Sequence, residues 1–63
     1  MFQERMYRAV LDEFVPEWEA AIQQLTPNEF AELWQDRTSQ NRSSGYRWYH
    51  RAIAIAGERQ AAA

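Results

Sequence analysis

The stretch Leu25-Thr26-Pro27-Asn28-Glu29-Phe30 decides how this chain folds. Thr26 offers a side-chain oxygen to the free amides of a helix start. Pro27 follows at the first helical position, where no amide hydrogen is needed, and Glu29 stands three residues past the cap, where its carboxylate reaches back. Leu25 before the cap and Phe30 at the fourth helical position match a hydrophobic staple. The pattern predicts a helix that buries Phe30, Leu33 and Trp34, turns Glu32, Gln35, Asp36 and Arg37 to water, and fades near Gln40 or Asn41.

Upstream, Phe2, Met6, Ala9, Val10 and Phe14 recur at steps of three and four, with Tyr7 and Leu11 widening the stripe. That spacing makes an amphipathic helix. Pro16 interrupts it, because proline has no amide hydrogen, clashes with the carbonyl four residues back and biases Val15 away from helical angles. A second helix can begin at Pro16, with Glu17 and Glu19 near its positive end. Trp18, Ala21, Ile22 and Leu25 nevertheless continue the stripe in nearly the same phase as Val10 and Phe14. Two short helices and one helix kinked at Pro16 both fit.

Downstream, Thr38 to Gly45 is polar and rich in Ser, Asn and Gly, which predicts a mobile loop over about 38–45. Ser43 or Ser44 then caps a last helix running to about Gln60. In it Tyr46, Tyr49, Ile53 and Ala56 form one row, with Tyr46 and Tyr49 expected in the core, and Trp48, Ala52 and Ile55 form the neighbouring row. The alternation Ala52-Ile53-Ala54-Ile55-Ala56 has the period of a strand, but three alanines favour helix and no second strand-like run exists to pair with it. Gly57 weakens the last turn, and residues 61–63 are expected to fray. The fold expected is all-α: a single mini-domain over 1–63, built as a bundle of three or four short helices, with the first two either separate or fused into one kinked helix.

The chain has 63 residues and no cysteine. So short a chain buries only about 60% of its unfolded surface, and without disulfides or a metal the remaining support is self-association or a partner. Three tryptophans, three tyrosines and three phenylalanines are much aromatic surface for it to hide. A homo-oligomer is therefore expected. No basic-then-apolar leader opens the sequence, and the longest apolar run, Ala52 to Ala56, falls far short of the roughly 20 residues that span a bilayer. With no cysteine, a cytoplasmic location is expected.

Charge is polarised along the chain. Residues 1–36 hold eight acids against two arginines, a net of −6, and residues 37–63 hold five arginines against Glu58, a net of +4. Either the basic last helix packs among the acidic ones or it meets an anionic partner.

Catalysis needs a nucleophile, a base and an orienting group, or paired carboxylates in a cleft. The lone His50 and the serines Ser39, Ser43 and Ser44 do not converge in sequence, so no enzyme activity is expected. A lone histidine without cysteines supplies no zinc set, and Gly45 and Gly57 stand apart, forming no phosphate loop; no metal or cofactor is expected. The densest chemistry is Arg42-Ser-Ser-Gly-Tyr-Arg-Trp-Tyr-His-Arg51. Interfaces between proteins are enriched in Trp, Tyr and Arg. At 100° per residue Arg47, His50, Arg51 and Ala54 share one outward face with Trp48 at its border, and Arg42 lies in the loop before it. These residues, Arg42, Arg47, Trp48, His50 and Arg51, are the candidate contacts of a non-enzymatic interaction module such as an adaptor, inhibitor or small regulatory subunit. The alternative is an accessory nucleic-acid-binding protein, in which Arg37, Arg42, Arg47 and Arg51 neutralise phosphates and exposed rings stack on unpaired bases. A membrane-surface role for the last helix ranks third, for want of a dense basic face.

Overall fold

A computed structural model describes residues 4–62, with side chains described to Gly57. It holds four helices: α1 (Glu4–Phe14), α2 (Trp18–Gln24), α3 (Pro27–Thr38) and α4 (Arg42–Ala62). No strand occurs among the described residues. At 1.5 Å per residue the 21 residues of α4 extend about 31 Å, close to the 33 Å long axis of the molecule. The other three helices pack on α4, α3 most extensively.

The start of α3 forms as its sequence dictates. Thr26 Oγ1 accepts from the Glu29 amide at 3.2 Å, and the Thr26 amide donates to Glu29 Oε1 at 2.8 Å. Phe30 is buried, and Leu25 packs against the core from the edge. Thr26→Ala should lower stability by about 1 kcal/mol in urea unfolding, because the Glu29 amide loses its acceptor. A change under a few tenths of a kcal/mol would show that water replaces the cap at no cost.

At Pro16 the chain makes a break, and the fused, kinked helix is not formed. The Val15 amide still donates to Leu11 O at 2.7 Å, the last bond of α1, and the Trp18 amide donates to Val15 O at 2.9 Å. The second helix therefore opens at Trp18, two residues later than Pro16. Val15 and Trp18 are both buried, so the break folds its apolar residues inward. The Trp18 indole N–H donates to Asp12 Oδ1 at 2.8 Å, and Arg37 Nη1 donates to Phe14 O at 3.1 Å and to Glu17 Oε1 at 3.2 Å. Arg37 thus satisfies a carbonyl near the break, instead of only facing water.

The α3–α4 connection is shorter than the loop expected over 38–45. Ser39 ends α3 in the left-handed region, with φ 62°, and its amide donates to Gln35 O. Asn41 Oδ1 accepts from the Ser44 amide at 2.9 Å. Asn41, not Ser43 or Ser44, is thus the cap, and α4 begins at Arg42. The physical reason is Gly45, which is buried as a helical residue against Ala31 and draws the preceding residues into the helix.

The core comprises Leu11, Val15, Trp18, Ala21, Phe30, Ala31, Trp34, Ala52 and Ile55. Trp34 stands among three rings: Trp48 stacked at 5.0 Å, Phe30 stacked at 6.4 Å and Phe14 edge-on at 5.9 Å. Its indole N–H donates to Gln40 Oε1 at 3.1 Å. In α1 the inward side centres on Leu11, flanked by Tyr7, Val10 and Phe14, while Met6 is 59% exposed and Ala9 is exposed. Phe2 and Ala63 lie outside the described residues, and α4 extends through Ala62.

Candidate functional site

The row expected to bury Tyr46, Tyr49, Ile53 and Ala56 is not the core row of α4. Gly45, Ala52 and Ile55 are buried, with Trp48 half-buried in line with them. Tyr49 and Ala56 pack at the core's edge, the Tyr46 hydroxyl donates to Asn28 Oδ1 at the start of α3, and Ile53 is 41% exposed. The helix is rotated by roughly one residue's worth relative to that expectation. Close contact at Gly45 fixes the rotation, since only the side of α4 without a Cβ at that position can sit on Ala31.

This rotation sorts the five candidate residues. Arg42 belongs to the first turn of α4, where the positive helix end disfavours a cation, and its Nη2 lies 3.0 Å from Glu32 Oε1 on α3. Both side chains are about half exposed, so the pair contributes at most about 1 kcal/mol. Trp48 is half-buried, with its face on Trp34 and the Tyr7 ring edge-on at 5.5 Å. The Arg51 guanidinium carbon lies 4.6 Å from both the Tyr7 and Trp48 ring centroids, which pins α1 to α4. Each such cation–π contact is worth roughly 0.5–1 kcal/mol at an exposed site. His50 is exposed, its ring 5.8 Å from that of Tyr49. Arg47 is exposed and has no carboxylate partner among the described residues, whereas Arg8, Arg37 and Arg42 each meet a glutamate.

The structure therefore keeps Arg47 and His50 together on the outward face of α4, with Ala54 and Gly57 in line and Ile53 beside them, all exposed. Arg51 forms one border. Arg42 and Trp48 are drawn into the fold's own contacts. No protein-family model, curated protein or solved structure matches the chain. The reading of this face consequently rests on its chemistry: two nitrogen-rich side chains that donate hydrogen bonds, beside a branched apolar side chain and two residues small enough to admit close approach.

Ile53 was missed by the sequence because the alternation of Ala and Ile over 52–56 fits either phase. The signal that would have found it is the spacing Gly45, Trp48, Ala52, Ile55, steps of three, four and three, which leaves Ile53 outside. An open depression of about 250 Å³ lined by Glu4, Arg5 and Arg8 involves none of these residues. Among the described residues no group of three or more His, Asp or Glu side chains comes together as a metal site, and no helix is long and apolar enough to cross a membrane.

Proposed function

We propose that this protein is a non-enzymatic interaction module, an adaptor, inhibitor or small regulatory subunit working in the cytoplasm, and that it binds a protein partner through the outward face of α4. The observation that carries the reading is Ile53, 41% exposed on the same outward side of α4 as Arg47, a cation with no carboxylate partner among the described residues. An apolar centre with an arginine at its rim is the make-up of a protein interface, and the complementary surface is acidic with an apolar residue at its middle.

The test is affinity capture from the native cell with the wild-type chain and with Ile53→Asp and Arg47→Glu variants. Both positions are exposed, so the variants keep the far-ultraviolet circular dichroism of a helical bundle. The partner retained by the wild type is expected to be lost at least tenfold in each variant. Retention of the same partner by both variants would move the site off α4.

The nucleic-acid reading is weaker on these contacts. Two of its four arginines, Arg37 and Arg42, pair with Glu17 and Glu32, and the Trp48 ring is engaged by Trp34, Tyr7 and Arg51. Binding to mixed-sequence single-stranded DNA at low salt, steeply weakened by added salt and lost in Arg47→Ala, would restore it in place of the protein reading.

A further inference from the structure

The link between α1 and α2 is three residues, Val15, Pro16 and Glu17, and the apolar stripe runs through it in phase from Val10 and Phe14 to Trp18, Ala21 and Ile22. Only Pro16 prevents these segments from forming one helix: there it would lack the amide owed to the Asp12 carbonyl, and its ring would strike that carbonyl. What α1 contributes inward is Leu11, the Tyr7 edge on Trp48 and the Phe14 edge on Trp34, with Arg51 over Tyr7. All of these are noncovalent contacts, so the α1 of a second copy can make every one of them in the same groove. The bonds that hold the closed link are the Trp18 amide to Val15 O, the Trp18 indole to Asp12, and Arg37 to Phe14 O and Glu17.

We propose that Pro16 is a conformational stop that keeps α1 folded on its own bundle, and that the state it suppresses is a reciprocal exchange of α1 between two copies of this chain. Short hinges between elements that pack elsewhere are where such exchange arises. The inference is independent of the α4 surface, which the exchange leaves on the outside of each half.

The experiment compares wild type, Pro16→Ala and Pro16→Gly, each refolded at high concentration and weighed by sedimentation. Removing an interior-helix proline favours the straightened hinge, so Pro16→Ala should shift the monomer–dimer equilibrium toward dimer by roughly a hundredfold relative to wild type. Pro16→Gly, which loses the ring but supports helix poorly, should shift it much less. In a mixture of 13C-labelled and unlabelled Pro16→Ala chains, nuclear Overhauser contacts between the Tyr7 and Trp48 rings should appear between copies, and the pair should survive addition of Ile53→Asp. A Pro16→Ala chain as monomeric as wild type overturns the proposal. So does a dimer whose Tyr7–Trp48 contacts stay within one chain, or one that Ile53→Asp dissolves, since that would be association through α4.

Discussion

Gly45→Ala should destabilise the bundle by about 2 kcal/mol or more, while Gly57→Ala, the same change in the same helix, should stabilise it by about 0.5–1 kcal/mol. A Cβ added at Gly45 would stand 2.6 Å from Ala31 Cα, 2.9 Å from Ala31 O and 3.0 Å from Ala31 Cβ. The first two are backbone atoms of a buried residue within a helix, which no rotamer change can move aside. Relief requires that α3 and α4 separate, and their interface is the largest in the molecule. At Gly57 nothing lies within 4 Å of the added atom, so only the gain in helix propensity remains. Both substitutions reduce the freedom of the unfolded chain alike, so the difference between them isolates native packing. For a domain of this size 1 kcal/mol moves the melting midpoint by about 4–8 °C, so the two variants should melt on opposite sides of wild type and well apart. If Gly45→Ala melts above wild type, α3 and α4 are not in the close contact described.

The same glycine marks the boundary of what the sequence made legible. The α3 start could be read residue by residue because a capping box is local: Thr26 and Glu29 satisfy each other across three residues, whatever the rest of the chain does. The break at Pro16 was half legible. Proline forbids a straight helix, but whether the chain kinks or turns depends on Arg37 and Asp12, the first of which comes from a different helix. Gly45 was not legible at all. In a polar run after two serines it has the look of a loop residue, and its role as a contact point on Ala31 exists only once α3 and α4 are placed together. From that one misplacement follow the wrong cap, the overlong loop that held Arg42, and the phase that put Tyr46 and Tyr49 in the core with Ile53 in their row. Arg47 and His50 lie far enough around α4 to stay exposed in either rotation, whereas Ile53 turns outward only in the observed one. The charge split was equally ambiguous. Acidic first half against basic last helix is resolved in part within the fold, at Arg37–Glu17 and Arg42–Glu32, and leaves Arg47 outside that pairing.

Trp34→Ala should abolish cooperative folding. Trp34 is fully buried, and removing a large aromatic side chain from a core costs roughly 3–5 kcal/mol. A domain of 63 residues has only about 3–9 kcal/mol in total at the usual stability per residue, so the loss is of the same size as the whole. The site cannot collapse to fill the gap, because rings from three helices, Phe14, Phe30 and Trp48, are held at 5.0–6.4 Å around it. Trp34→Phe separates volume from contact: it keeps an aromatic face for Trp48 and Phe30 and gives up the indole N–H bond to Gln40, which is exposed and rehydrates. That variant should remain folded with a loss of about 1–2 kcal/mol. Urea unfolding followed by far-ultraviolet circular dichroism distinguishes the two, and an unchanged midpoint for Trp34→Ala would mean that this ring is not at the centre of the core. The result also bears on the proposed partner face. Trp34 braces Trp48, and Trp48 with Tyr7 holds Arg51, so the seat of α4 that turns Ile53 outward rests on this side chain as well as on the Gly45 contact, and Trp34 never reaches the surface. Loss of partner binding in Trp34→Ala would therefore report unfolding alone. Binding retained in Trp34→Phe and lost in Ile53→Asp, with both chains folded, is the pattern that assigns recognition to the outer face of α4 instead of to the aromatic cluster beneath it.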